Sequence, residues 1–271
     1  MVNFNGKIIA ENSISLSVHN RAFKYGDALF ETIKVEGGKV NFIEDHYFRL
    51  MASMRMLRMS ISMEFTLEFF ENEILKTVNA NNLNLARVRF SVNRKDGGLY
   101  SPITNTIDFL IEANELKTIS RSTYEIDVFK DYYVYSGILS TLKTNNKILN
   151  VLAGIYAEEN GLDNCILLNE KKQVVEALNA NIFLIKGNQI ITPSLSEGCL
   201  KGVMRKNIIK LIQKDTKYEI IETEFSPFEM QKVDEVFISN AIVGIQAITK
   251  YRKKHYNTEA SDYLKSILKI S

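Results

Sequence analysis

Cysteine, proline and histidine are scarce in this chain, and tryptophan is absent. Cys165 and Cys199 are too few for a disulfide framework, so a reducing compartment, the cytoplasm, is the expected setting. The three histidines, His19, His46 and His255, are scattered and have no cysteine at ligand spacing, which argues against a metal site. Three prolines and no low-complexity tract give no sign of a disordered linker. An excess of one charge is missing too. The net charge of +2 is too small to point to nucleic acid or an acidic membrane surface as partner. No apolar run reaches bilayer-spanning length, the N-terminus lacks a signal-peptide core, and no internal repeat is visible.

What is present is an ordinary globular composition in 271 residues, which allows one or two domains. Asn5-Gly6 and Gly37-Gly38 each sit between short hydrophobic stretches and predict hairpins, the second joining Leu29–Val35 to Lys39–Phe42. Helical spacing of Tyr47, Leu50, Met51, Met54 and Leu57 predicts a helix over 44–57; a second is expected over 63–80. Strands follow at 86–92 and 106–113. The pattern lapses over 116–122, which sets an expected boundary between domains 1–118 and 119–271. Beyond it, 124–130 and 132–139 read as strands. A helix over 147–160 carries Ile148, Leu149, Leu152, Ile155 and Tyr156 on one face, with Asn145 and Asn146 as N-cap candidates. The stretches 163–168, 173–178, 182–185 and 189–192 predict an antiparallel meander. A glycine-containing turn then opens a helix through Lys214, strands are expected at 218–222 and 233–239, and a closing helix covers 259–270.

Several residues stand out chemically. Lys143 lies on a short polar loop just before the 147–160 helix; most lysines in such places are simply solvated. Glu176 interrupts the apolar run Val174-Val175-Glu176-Ala177-Leu178. A carboxylate there is either half of a buried ion pair or the partner of a cationic group on a ligand. Arg49 lies off the apolar stripe of its helix and is spaced to pair with Asp45. Arg94 and Tyr100 sit in a turn-rich separator that reads equally as a binding loop or a solvated hairpin. The turn Leu200-Lys-Gly-Val-Met-Arg205 opens a helix, and a helix N-terminus offers N–H groups to an anion.

Taken in order, seven segments resemble the class IV aminotransferases, the fold-type-IV pyridoxal-phosphate (PLP) enzymes. That family includes branched-chain aminotransferase, D-amino-acid aminotransferase and aminodeoxychorismate lyase. The segments are Tyr25-Gly-Asp-Ala-Leu-Phe-Glu-Thr32; His46-Tyr-Phe-Arg-Leu50; Leu142-Lys143 with Asn146; Val175-Glu176 with Asn181-Ile-Phe183; Thr192-Pro193; Leu200–Arg205; and Asp234-Glu-Val-Phe237. The resemblance spans about Asn20 to Ile248. It implies an α+β fold of two domains, a small N-terminal α/β domain and a larger C-terminal mixed-sheet domain with the cofactor between them, and a homodimer.

The resemblance also implies roles. Lys143 becomes the Schiff-base lysine and proton carrier, Glu176 the partner of the pyridinium nitrogen, and Arg49 the phosphate arginine. Gly202, Val203 and Met204 would cup the phosphate with backbone amides, and Asn240 and Ala241 occupy the second phosphate turn. Met204 stands where many relatives have threonine, which removes a hydroxyl contact, and Asn240 where branched-chain enzymes commonly have one. Arg94, Tyr100, Tyr25 and Phe30 are the expected substrate residues. The chain is therefore expected to be a PLP-dependent aminotransferase acting on a small amino acid. Aminodeoxychorismate lyase on the same site is the alternative, and a non-catalytic binding protein a remote third, because Lys143 and Glu176 are both present.

Overall fold

The computed structural model describes residues 1–117, 122–215 and 217–268. They divide into two compact units: one takes the described part of Met1–Thr118 with Lys143–Asn146, the other that of Ile119–Leu142 and Lys147–Lys269. The boundary expected at 118/119 falls outside the described residues. Lys143–Asn146, expected with the C-terminal part, groups instead with the N-terminal unit, because it hydrogen-bonds to that unit's sheet.

The N-terminal unit is one antiparallel sheet covered by two helices. Strands β1 (Val2–Phe4), β2 (Lys7–Ile9), β3 (Ala28–Glu36), β4 (Lys39–Val40), β5 (Leu85–Arg94) and β6 (Ile107–Glu115) run in the order β2-β1-β6-β5-β3-β4. Both predicted hairpins form at their predicted turns. Helix α1 (Arg21–Tyr25) is capped by Asn20, whose side chain accepts from the Phe23 amide at 2.9 Å. It ends at Gly26 in the left-handed region, φ +63°, where a Cβ would lie 2.3 Å from Asn146 Oδ1, so no larger residue fits. Helices α2 (Ile43–Met56) and α3 (Leu67–Ala80) follow. The second starts four residues later than its apolar pattern predicts, because Thr66 accepts the Phe69 amide and fixes the first turn there. Phe65, Phe70, Phe90 and Phe109 interlock beneath them, with Phe70 and Phe90 centroids 4.6 Å apart.

The C-terminal unit pairs two five-stranded sheets. One holds β7 (Glu125–Val128), β8 (Asn164–Leu168), β9 (Val174–Ala177), β15 (Lys250–Tyr251) and β16 (Lys254–His255), in the order β16-β15-β7-β8-β9. The other holds β10 (Asn181–Lys186), β11 (Gln189–Thr192), β12 (Glu219–Glu222), β13 (Glu235–Asn240) and β14 (Gly244–Ile248), in the order β12-β11-β10-β13-β14. Ile126, Ile166 and Val174 from the first sheet share one core with Ile182, Val236 and Ile248 from the second. Helices α4 (Ile148–Glu159), α5 (Val203–Lys214) and α6 (Glu259–Ile267) complete the unit. Glu235 caps α6 by accepting the amides of Ala260 and Ser261.

Three expectations are corrected here. The meander is split: β9 is an edge strand of the first sheet, and the chain turns at Ala177–Ala180 to enter the second, where β10 pairs with β11 and β13. The segment 132–139 is not a strand; its only bridge is Val134 to Asn169, and it ends in a short 3-10 turn, Ile138–Thr141. The N-cap position of helix α4 falls on Lys147, which makes no side-chain cap, and not on Asn145 or Asn146; the helix buries Ala153 and Ala157. Leu149, Leu152 and Tyr156 pack beside them, whereas Ile148 and Ile155 stay 71% and 47% exposed.

Candidate active site

Lys143 lies on a short extended segment that adds to the free edge of β3. The Phe30 amide donates to its carbonyl at 2.9 Å, the Asn145 amide donates to Ala28 at 3.0 Å, and Thr144 bridges Leu29. This antiparallel pairing puts Lys143 on the face of β3 that carries Phe30. Its Nζ lies 4.5 Å from the Phe30 ring centroid. The guanidinium carbon of Arg89 lies 3.8 Å from that same centroid. Arg89 projects from the middle of β5, where it donates to Asn145 Oδ1 at 3.1 Å and to Ser91 Oγ at 3.2 Å. Burial, reinforced by the Arg87 charge and opposed by Glu112, lowers its pKa. Arg89 falls on the polar face of the alternating stretch Ala86-Arg87-Val88-Arg89-Phe90-Ser91-Val92, an ordinary place for a charge on a half-buried strand, so nothing local singles it out.

The opposite face of β3 carries Glu31, which is 1% exposed. Its carboxylate accepts from His46 Nδ1 at 2.6 Å, from Arg49 Nε at 2.8 Å, and from Arg49 Nη2. Burial alone would raise the Glu31 pKa; the Arg49 charge and the hydrogen bonds from His46 and Arg49 outweigh it and bring it to about 2. His46 is lowered by burial, against the opposing pull of Glu31. It is therefore neutral at pH 7, and its Nδ1 must carry the proton, since an ionised carboxylate can only accept. His46 Nε2 is buried without a hydrogen-bond partner. Arg49 thus meets a buried carboxylate that its spacing from Asp45 did not suggest.

Arg94 does something else than expected. It is 7% exposed and its guanidinium is held within the unit: Nε donates to Asp27 at 2.9 Å, Nη2 to the Leu57 carbonyl at 2.6 Å, and Nη1 to Asn105 Oδ1 and the Arg58 carbonyl. Those bonds tie the end of α2 to β5 and engage four of the five guanidinium N–H donors within the unit. Asp27 also receives Arg21 Nε at 2.8 Å, and Arg21 holds the carbonyls of Gly97 and Leu99. That arrangement places Tyr100 beside Tyr25, ring centroids 5.6 Å apart, with Tyr100 89% exposed.

In the C-terminal unit, β9 buries Val174, Val175 and Ala177 and leaves Glu176 half-buried. Glu176 Oε2 accepts the Leu200 amide at 2.8 Å, and the Leu200 carbonyl accepts from Asn181 Nδ2 at 2.9 Å. The turn before α5 is therefore stitched to two strands. Gly202 is the N-cap of α5 and supplies no side-chain cap. A Cβ at Gly202 would stand 1.9 Å from Asn181 Oδ1, so only glycine lets the backbone come this close. Val203 and Met204 are buried in the first turn. Arg205 holds that turn down by donating to the Pro193 carbonyl at 2.8 Å. At the tip of the β13–β14 hairpin, Asn240 Oδ1 accepts the amides of Ile242 and Val243 at 2.9 and 3.0 Å, and its Nδ2 donates to Asn179. The turn containing Ala241 is thus shaped from within. Ser239 Oγ, paired in register with Asn181, is buried without a hydrogen-bond partner.

The family described as amino-transferase class IV matches residues 28–251. The chain belongs to the class IV aminotransferase family. A Methanocaldococcus jannaschii protein, assigned by name to the branched-chain-amino-acid aminotransferases, is 30% identical over 252 residues, 89% of this chain and 84% of its own. The aminodeoxychorismate lyase of Vibrio harveyi is 25% identical over 232 residues, covering 85% of each. Among solved structures, a branched-chain aminotransferase from Thermoproteus uzoniensis superposes with a TM-score of 0.89 at 20% identity, over 98% of this chain and 92% of that one. The enzyme thus has the fold-type-IV architecture and is PLP-dependent. Its residues suit that cofactor: Lys143 supplies an amine, Glu176 a carboxylate, and the uncapped α5 N-terminus, with the orphan Ser239 hydroxyl on the adjoining strand, donors for a phosphate. Among the described residues no group of histidine, cysteine, aspartate and glutamate could hold a metal.

Proposed function

We propose that this class IV enzyme is an aminotransferase acting on a compact amino acid through Lys143. The observation that carries this reading is that the Lys143 amine and the Arg89 guanidinium flank one Phe30 ring. An amine that moves a Cα proton and a cation that holds the carboxylate on that same carbon are thereby gathered about one apolar ring. When bound, PLP supplies an electron sink for the carbanion at the amino acid's Cα. Lys143 would hold the cofactor covalently in the resting enzyme and, once released as the free amine, would take the Cα proton. Glu176, oriented by the Leu200 amide, holds the pyridinium N–H. Arg49, the amides of Gly202, Val203 and Met204, and the Asn240–Ala241 turn hold the phosphate. Phe30 borders the substrate side chain, and Tyr25 and Tyr100 offer hydroxyl groups to the substrate carboxylate.

Aminodeoxychorismate cleavage is the second reading. The Ser239-Asn240-Ala241 turn, closed by the Asn240 side chain, favours it, being nearer to the Asn-Ala turn of the lyase branch. Arg94 lends it no support, being occupied within the fold.

The protein works as a homodimer in a reducing compartment in this proposal. Ile148, Val151 and Ile155 form an exposed apolar stripe along α4, and both cysteines are free buried thiols. Among the described residues no helix is long and apolar enough to cross a membrane.

Absorption spectra with PLP, before and after separate additions of L-leucine, D-alanine and aminodeoxychorismate, test the reading with Lys143→Ala alongside. The expected result is a visible cofactor band that the variant lacks and that an amino acid bleaches with release of its keto acid. Pyruvate plus p-aminobenzoate from aminodeoxychorismate alone would replace the aminotransferase reading with the lyase one. No band in the parent protein would overturn both.

A further inference from the structure

We infer that Glu31 is the positioning residue of the phosphate arginine, holding the Arg49 guanidinium in its binding orientation before the cofactor arrives. The inference rests on the proposed assignment of Arg49 to the PLP phosphate. A carboxylate 1% exposed in the middle of a strand is costly unless it is fully partnered, and Glu31 is partnered on both oxygens by two residues one helical turn apart on α2. Arg49 Nε and Nη2 close on the carboxylate as a fork, which fixes the plane of the guanidinium as well as its place. Glu31 engages the Nε–H and one Nη2–H of the guanidinium, the two donors on one edge of its plane. His46 completes the clamp from the other side. Kept neutral by burial, it adds no charge, and its Nδ1–H orients the carboxylate for the arginine. An arginine free in solution must freeze several rotatable bonds to meet a phosphate. One already frozen on Glu31 does not, and the gain shows as phosphate-specific affinity.

Two substitutions separate positioning from mere support of the fold. Glu31→Gln keeps the shape and removes the charge; Glu31→Asp keeps the charge that compensates Arg49 and withdraws the fork by one methylene. Apo protein is titrated with PLP and with pyridoxal, which lacks the phosphate, and thermal melting confirms folding. In both variants PLP affinity falls about tenfold while pyridoxal affinity stays within about twofold. Arg49→Lys shows the same selectivity, and adding Glu31→Gln to it costs nothing further, because both act through one contact. Equal losses for the two ligands, no loss for either, or full additivity with Arg49→Lys would overturn the inference. If Arg49→Lys itself fails to distinguish PLP from pyridoxal, the assignment of Arg49 to the phosphate is what falls. Should Glu31→Gln not fold, Glu31→Asp alone decides.

Discussion

Arg89 and Arg94 stand five residues apart on β5, and the fold uses them in opposite ways. Arg94, at the strand end, is enclosed: Asp27, Asn105 and two carbonyls at the end of α2 absorb its donors. Arg89, in mid-strand, is held more loosely by Asn145 and Ser91 and lies over the ring that also faces the Lys143 amine. An arginine in the right sequence neighbourhood is therefore no guide to binding; what matters is whether the fold has already occupied its donors. Two glutamates inside apolar strands repeat the lesson. Glu31 is sunk in a cluster of buried side chains, whereas Glu176, on an edge strand, stays half-buried and takes a backbone amide.

The comparison can be broken by substitution. Arg94→Ala should have the largest effect on stability, about 3–5 kcal/mol, because it leaves the Leu57 and Arg58 carbonyls and Asn105 without their guanidinium donors and Asp27 with Arg21 as its remaining arginine. Denaturant unfolding measures it; a raised KM with unchanged stability would place Arg94 among the substrate residues after all. Acid should then weaken the protein through the Glu31 cluster. Glu31 is depressed from 4.5 to about 2, so its contribution is complete above pH 4.5 and is lost as pH falls toward 2. That shift corresponds to about 3 kcal/mol. His46, also lowered, starts the decline at higher pH, because the unfolded chain takes up a proton near 6.5 that the folded one refuses. Stability against pH should show both steps, and Glu31→Gln should erase the lower one.

Arg89→Gln should leave stability within about 1 kcal/mol and lower kcat/KM about 100-fold, the loss of a charge-assisted contact to a carboxylate. The reverse outcome, a large stability loss with kinetics intact, would make Arg89 a second Arg94. In the C-terminal unit, Gly202→Ala should cost about 1–3 kcal/mol in thermal unfolding, because its Cβ meets Asn181 at 1.9 Å and must displace it. Tyr100→Phe should be smallest. With the ring 89% exposed, removing its hydroxyl should change KM about threefold.

Local chemistry wrote much of the fold into the sequence. The Asn5-Gly6 and Gly37-Gly38 turns, helices α2 and α5, and the long strands β3, β5 and β6 follow from backbone preference and side-chain periodicity within a few residues. Those same cues mark Glu176 as an anomaly but leave Lys143 an ordinary loop lysine, and it is the order of the motifs that names the family and gives the lysine its expected role. Cues that depend on what lies across a helix or strand failed: the start of α3 moved to its cap at Thr66, and α4 left part of its predicted apolar face in solvent.

Tertiary structure alone decided the rest. Thr144 pairs with Leu29 across more than a hundred residues of chain, and that contact puts Lys143 on the Phe30 ring and moves its segment into the N-terminal unit. The parting of β9 and β10 into different sheets, the capture of Arg49 by Glu31, and the choice of Arg89 over Arg94 as the arginine beside the lysine are of the same kind. Each depends on the register of strands distant in sequence, and a residue's own neighbours carry no record of that register.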